Sequence, residues 1–152
     1  MTTTRIDHHD SIAGASILVG AGWFDTTDED DEAPLTFTKD YGVGALQFSS
    51  ATYKSGRKPD IRVGDLTDLV KGFVDAKFPG APAQFQTGEL DEAASSPAFA
   101  RADVTLPEWR LVAWYVSNGR DVVLCTYTCG HSEFRPAELE EAAAIVTSMR
   151  WT

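Results

Sequence analysis

Cysteine is nearly missing from this chain: Cys125 and Cys129 are the only two among 152 residues. Four residues apart on an extended strand, their Cα atoms would lie about 13 Å apart at a rise of ~3.3 Å per residue. A disulfide tolerates less than about 7 Å, so these two are not expected to pair. Two free thiols suit a reducing compartment. Long apolar runs are missing too. Nothing approaches the roughly 18 residues that span a bilayer. The stretch from Ile12 to Phe24 is interrupted by Gly14, Gly20 and Gly22 and lacks the basic flank of a signal peptide. Cytoplasmic residence without membrane contact is the expectation. Positive charge is scarce, with 13 Lys+Arg against 23 Asp+Glu, a net charge of −10 and a pI near 4.6. Phosphate backbones are bound by clustered cations, so the balance argues against a general nucleic-acid binder.

The usual catalytic signatures are also lacking. Gly20-Ala21-Gly22-Trp23-Phe24-Asp25 begins like a dinucleotide fingerprint, but it has no third glycine and runs into acids where phosphate would sit. There is no P-loop and no G-x-S-x-G elbow. Cys125, Cys129 and His131 form C-x₃-C-x-H, which would have to interrupt a strand to make a zinc knuckle and has no second ligand pair nearby. A Cys129–His131 dyad has no third group to orient it. His8-His9, between Asp7 and Asp10, reads as a solvated terminus. Asp28-Glu29-Asp30-Asp31-Glu32 alternates acids like a calcium loop, yet the glycine at its sixth position is absent and the twelfth is Lys39. No catalytic residue, metal or cofactor is expected.

What is present is the composition of an ordinary globular domain, 43% apolar and 24% charged. A chain of this length buries roughly 68–70% of its unfolded surface in one core, which predicts a single domain over 1–152 with a flexible lead over 1–11. Strands are expected at 15–19, 35–38 and 43–50, the last pair joined by a turn at Asp40-Tyr41-Gly42. Leu66, Leu69, Val70, Phe73 and Val74 mark one face of a helix beginning near Asp65 and stopped by Pro79-Gly80. Further strands are expected at 84–90 and 99–105. A hairpin of 109–116 and 122–128 turns through Asn118-Gly119, the preferred pair of a two-residue type I′ turn. The first of these two strands is apolar on both faces, which places it inside the sheet with both sides covered. Pro136 suits a first helical position. Glu138, Glu140 and Glu141 complement the helix dipole, and Leu139, Ala142, Ala143 and Val146 form the stripe to be buried. A short last strand is expected at 148–151. Hairpins broken by only two helices indicate an α+β fold: an antiparallel sheet of about six to seven strands under two covering helices.

Charge is unevenly placed. Asp25 with Asp28, Glu29, Asp30, Asp31 and Glu32 puts six of the 23 acids into eight residues. Such a segment can be a solubilising loop, or a docking surface for a basic partner that relieves the mutual repulsion. Lys54, Arg57, Lys58 and Arg62 form the opposite pole, read as a solvated edge that discourages strand pairing. Trp23, Trp109, Trp114 and Trp151 are expected in the core; one left exposed would mark an interface.

Gly22-Trp23-Phe24-Asp25 after a first strand, the hairpin Gly42–Ser49 followed by Tyr53-Lys54-Ser55-Gly56, and the closing Glu138 to Trp151 together resemble small bacterial proteins of the Mog1/PsbP-like α+β fold. The resemblance spans nearly the whole chain and implies a binding protein rather than an enzyme. Relatives on that fold include a nuclear-transport GTPase partner, photosystem extrinsic subunits, type VI secretion effector chaperones and toxin immunity proteins. Joined to the acidity and the want of a catalytic constellation, it yields the expectation of a non-enzymatic cytoplasmic immunity protein. Such a protein would occlude a cognate, basic toxin through Asp25 and Asp28 to Glu32. An adaptor or chaperone for a type VI secretion effector, using an apolar sheet groove, is the alternative; a thiol or metal hydrolase centred on Cys129 and His131 is the third reading.

Overall fold

Period-2 alternation of branched and aromatic residues with small polar ones builds the centre of the molecule. The computed structural model describes residues 4–7, 10–29, 33–51, 61–89 and 98–151. Within them β1 (Thr4–Ile6) pairs with β2 (Ile17–Val19) in a small ribbon. A seven-stranded sheet is formed by β3 (Trp23–Asp25), β4 (Leu35–Lys39), β5 (Gly44–Ala51), β6 (Ala83–Glu89), β7 (Ala98–Thr105), β8 (Trp109–Ser117) and β9 (Val122–Gly130). Its strand order is β3-β4-β5-β9-β8-β7-β6, antiparallel throughout. Helix α1 (Val63–Lys77) follows β5, and α2 (Pro136–Thr147) follows β9. The fold is α+β, with an antiparallel sheet and two helices as the alternation implies. No helix among the described residues is long and apolar enough to cross a membrane.

The two helices lie on opposite faces and at opposite ends. Helix α2, the ribbon and a 3-10 turn at Asp10–Ile12 cover one face, over a core that includes Leu35, Phe37, Leu46, Phe48, Trp114 and Cys125. Helix α1 covers the other face only above β6, β7 and β8, where Leu66, Val70 and Val74 meet Ala100, Ala102, Val104 and Ala113. Strand β8 feeds both cores: Val112, Trp114 and Val116 point toward α2, Leu111 and Ala113 toward α1. Its double-sided apolarity therefore has the cause read from the sequence. Each fully buried side chain of this size contributes on the order of 1.5–3 kcal/mol.

Several boundaries differ from the sequence expectation for identifiable reasons. The lead contains β1, held by register to β2, and Ile12 is completely buried. Trp23–Asp25 is a strand, because Gly22 at φ +88 turns the chain and Trp23 then drops into the core. Helix α1 starts at Val63, where the carboxylate of Asp65 accepts the Arg62 amide at 2.9 Å. The β8–β9 connection is not a two-residue turn. Ser117 pairs with Val122, leaving a four-residue loop in which the Asn118 side chain accepts the amides of Arg120 (3.0 Å) and Asp121 (2.8 Å). Only Gly119, at φ +96, takes a left-handed conformation there, whereas a type I′ turn needs two. The expected last strand is reduced to one bridge, Arg150 with Ser16. In α2 the buried stripe takes in Ile145 and, unexpectedly, Glu138.

Candidate functional site

The acidic segment leaves the sheet at its outermost strand. In β3, Trp23 points inward and its indole N–H donates to Glu141 at 3.3 Å, so Phe24 must point out, and it is 56% exposed. Asp25 is partly occupied by the fold: its carboxylate accepts the Thr27 amide (2.9 Å) and the Thr27 hydroxyl (2.5 Å). Thr27 Oγ1 in turn accepts the Thr36 amide at 2.9 Å, tying the loop's root to β4. Beyond this anchor Asp28 and Glu29 are exposed. Asp30, Asp31 and Glu32 lie outside the described residues, as do His8, His9, Lys54, Arg57 and Lys58.

Register places Phe24 at the end of a row across the α1 face: Phe24, Thr38, Ala45, Thr128 and Leu111 stand side by side on five strands. The next row is Thr36, Gln47, Thr126 and Ala113. Helix α1 packs on β6 to β8, and no described helix or strand covers these rows over β3, β4, β5 and β9. The small hydroxyls bond laterally, Gln47 Nε2 to Thr36 Oγ1 at 3.3 Å and Thr38 Oγ1 to Thr26 Oγ1 at 3.4 Å, keeping the surface flat. On this face, one step beyond Leu111 along β8, stands Trp109, 52% exposed. It is the exposed tryptophan; Trp23 and Trp114 are buried and Trp151 half-buried. The platform thus has an aromatic side chain at each end, about 19 Å apart over four strand spacings of ~4.8 Å. The acidic segment follows the Phe24 end in sequence, with Asp25 on the opposite face of β3 and Asp28 and Glu29 exposed beyond it.

The thiol cluster has a different character. Cys125 and Cys129 are both unpaired and buried. Burial pushes the Cys125 thiol well above its usual range, and burial followed by the Glu138 charge pushes Cys129 up. A nucleophilic cysteine needs the opposite shift. His131 lies in the exposed 3-10 turn His131–Glu133, its backbone amide bonded to the Glu108 carbonyl at 2.9 Å. Among the described residues no group of three or more metal-ligating side chains converges.

Glu138 is the residue that sequence reasoning missed. It is 3% exposed and its carboxylate accepts the amides of Val43 (3.1 Å) and Gly44 (3.0 Å) and the hydroxyl of Tyr127. Burial first, then the hydrogen bond to Glu138, holds the Tyr127 phenol far above its ordinary range. A Cβ on Gly44 would stand 2.5 Å from the Tyr127 ring, and one on Gly42 2.7 Å from Glu138 Oε1. The Gly-Val-Gly spacing was the available signal: two glycines flanking one residue mark a close approach. The cluster clamps the first turn of α2 to the start of β5. A second clamp joins Lys39 Nζ to Glu141 at 2.5 Å.

No protein-family model and no curated protein matches the chain. Among solved structures it is similar to a crystallised protein of Bacteroides thetaiotaomicron VPI-5482, with a TM-score of 0.56 at 13% identity. The match covers 100% of this chain and 49% of that one, so the chain spans about half its neighbour's length. At this identity the likeness concerns the fold alone.

Proposed function

We propose that this domain is a binding protein of the immunity type, which occludes a basic protein partner, a toxin, in the cytoplasm. The observation that carries the reading is the pairing of Phe24 with the acidic loop at one end of an uncovered sheet face, with Trp109 at the other. Interfaces draw most of their energy from a few aromatic anchors, while charges at the rim steer the encounter and select the partner. The platform offers the anchors, and Asp28 and Glu29 supply described rim charges. Asp25 braces the loop, and Asp30, Asp31 and Glu32 extend its charge in sequence. The Mog1/PsbP-like resemblance adds fold analogy to this argument and nothing more specific.

The test is capture of partners from native lysate by the tagged protein at low and at high salt. One basic protein should be retained and then released by salt, and the triple variant Asp28→Asn, Asp30→Asn, Asp31→Asn should lose at least ten-fold in affinity for it. Retention unchanged by either treatment would sink the acidic-loop reading. Salt-insensitive capture of a secreted effector, abolished by Trp109→Ala, would favour the adaptor alternative, which the aromatic ends of the platform also suit.

A further inference from the structure

We propose that a second surface, the trough on the α2 face of β6, β7 and β8, binds the C-terminal carboxylate of an extended peptide. Helix α2 does not reach this end of the sheet, and the face it leaves is polar. One cavity of about 380 Å³ is lined by Gln84, Asp103, Thr105 and Arg110 with the backbone around Pro82 and Ala83; another, of about 220 Å³, by Gln84, Phe85, Gln86, Arg101 and Asp103. They share Gln84 and Asp103 and so form one continuous trough.

The two arginines are in different states. Arg101 is saturated by a two-pronged pair with Asp103, Nε to Oδ1 at 2.6 Å and Nη2 to Oδ2 at 2.8 Å, and lies over Trp114 with its guanidinium 5.3 Å from the ring centroid. Arg110 stacks on Phe134 at 4.0 Å and makes no ion pair with any described carboxylate. The ring holds the guanidinium in place, and no described hydrogen bond occupies its side-chain N–H donors, a planar fork whose geometry matches a carboxylate. In a chain with net charge −10 this is a cation without a described ion-pair partner beside a cavity. A single positive charge calls for a single negative one, and the nearby Asp103 carboxylate would oppose a dianion. Thr105, directly opposite Arg110 in the register, adds a hydroxyl donor at the same end.

The rest of the trough specifies what trails behind the carboxylate. From Thr105 back to Arg101 is four residue steps, roughly 13 Å, or about four residues of extended chain. Gln84 and Gln86 stand two apart on β6, ~6.6 Å, the repeat of alternate peptide groups in an extended strand. Neutral side-chain amides at that spacing pair with backbone amides and carbonyls and carry no net charge. The occupant is therefore a peptide end with one terminal charge and an uncharged backbone lying along the strands. This site is separate from the acidic platform, and failure of either leaves the other standing.

Titration calorimetry on the intact protein tests it, using acetyl-tetraalanine with a free C-terminal acid and the same peptide as its C-terminal amide. The acid form should bind saturably and the amide at least ten-fold more weakly. Arg110→Gln should reduce binding of the acid form at least ten-fold while Arg110→Lys keeps part of it. Thr105→Val should cost less than Arg110→Gln. Equal binding of acid and amide, or no saturable binding of the acid at millimolar concentration, overturns the proposal. So does displacement of the peptide by equimolar acetate or inorganic phosphate, since the trough would then add nothing to the anion. If Arg110→Gln fails to fold, the acid–amide difference on the unaltered protein decides alone.

Discussion

The two ends of the sheet are covered in opposite senses, and their open faces differ in chemistry. Over β3 to β5 the α2 face is sealed and the α1 face bare; over β6 and β7 the reverse holds. The first bare face is paved with threonine, alanine and glutamine between Phe24 and Trp109, the second with glutamines around Asp103 and two arginines. Carboxylates at the β3–β5 end show the contrast between covered and open surface. Glu138, in the first turn of α2, is fully engaged by two amides and a phenol, whereas Asp28 and Glu29 stand in water. A helix placed on half of each face leaves two surfaces free to evolve separately, each rooted in a rigid strand.

The sharpest way to break this contrast is to exchange the carboxylates' fates. Glu138→Ala strands two backbone amides and the Tyr127 hydroxyl in the core, and it should cost about 3–5 kcal/mol in denaturant unfolding. Asp28→Ala in the same assay should stay within about 0.5 kcal/mol. The exposed aromatics should behave in the opposite way. Phe24→Ala and Trp109→Ala should each weaken binding of the captured partner by roughly ten-fold or more while leaving unfolding nearly unchanged.

A smaller effect separates the core from the surface by pH. Burial keeps the thiols of Cys125 and Cys129 protonated in the folded chain, and the unfolded chain releases those protons near the usual thiol range, about 8.5. Their contribution is present in full below that range and is lost as pH rises above it. Tyr127 acts in the same direction from about pH 10. Denaturant midpoints should thus fall between pH 8 and pH 10 by an amount that Cys125→Ala with Cys129→Ala reduces. The smallest expected change is at Tyr41, 90% exposed at φ +57 in the β4–β5 turn. Tyr41→Gly should raise stability by up to about 1 kcal/mol, because the left-handed conformation costs a tyrosine and not a glycine.

Much of the fold was legible because its signals are periodic. Leu66, Val70 and Val74 declare a helix face, and Val112 with Leu111 declares a strand wet on neither side. Signals that depend on what stands opposite were not legible. Asn118-Gly119 looks like a tight turn until the Asn118 carbonyl captures two amides and widens it. Glu138 reads as a dipole partner on a helix, since nothing in its neighbours says that Val43 and Gly44 will fold against it. The acidic loop was plain in the sequence. Its junction with Phe24 and the distant Trp109 on one face exists only once five strands are in register. The trough was invisible for the same reason, as its six polar residues come from three strands.

The strand order also carries a kinetic consequence. Strands β3 to β5 are one run of neighbours and β6 to β9 another, so each pairs over short chain distances; among the described residues β5 with β9 is the single ladder joining them, setting Ala51 opposite Val122. Closing that seam is the large loop entropy in the assembly, incurred before the contacts that reward it exist. Refolding is therefore expected to be limited by the two meanders finding each other. Lengthening the 52–60 connection with glycine and serine should slow refolding in stopped-flow measurements and leave the unfolding rate almost untouched.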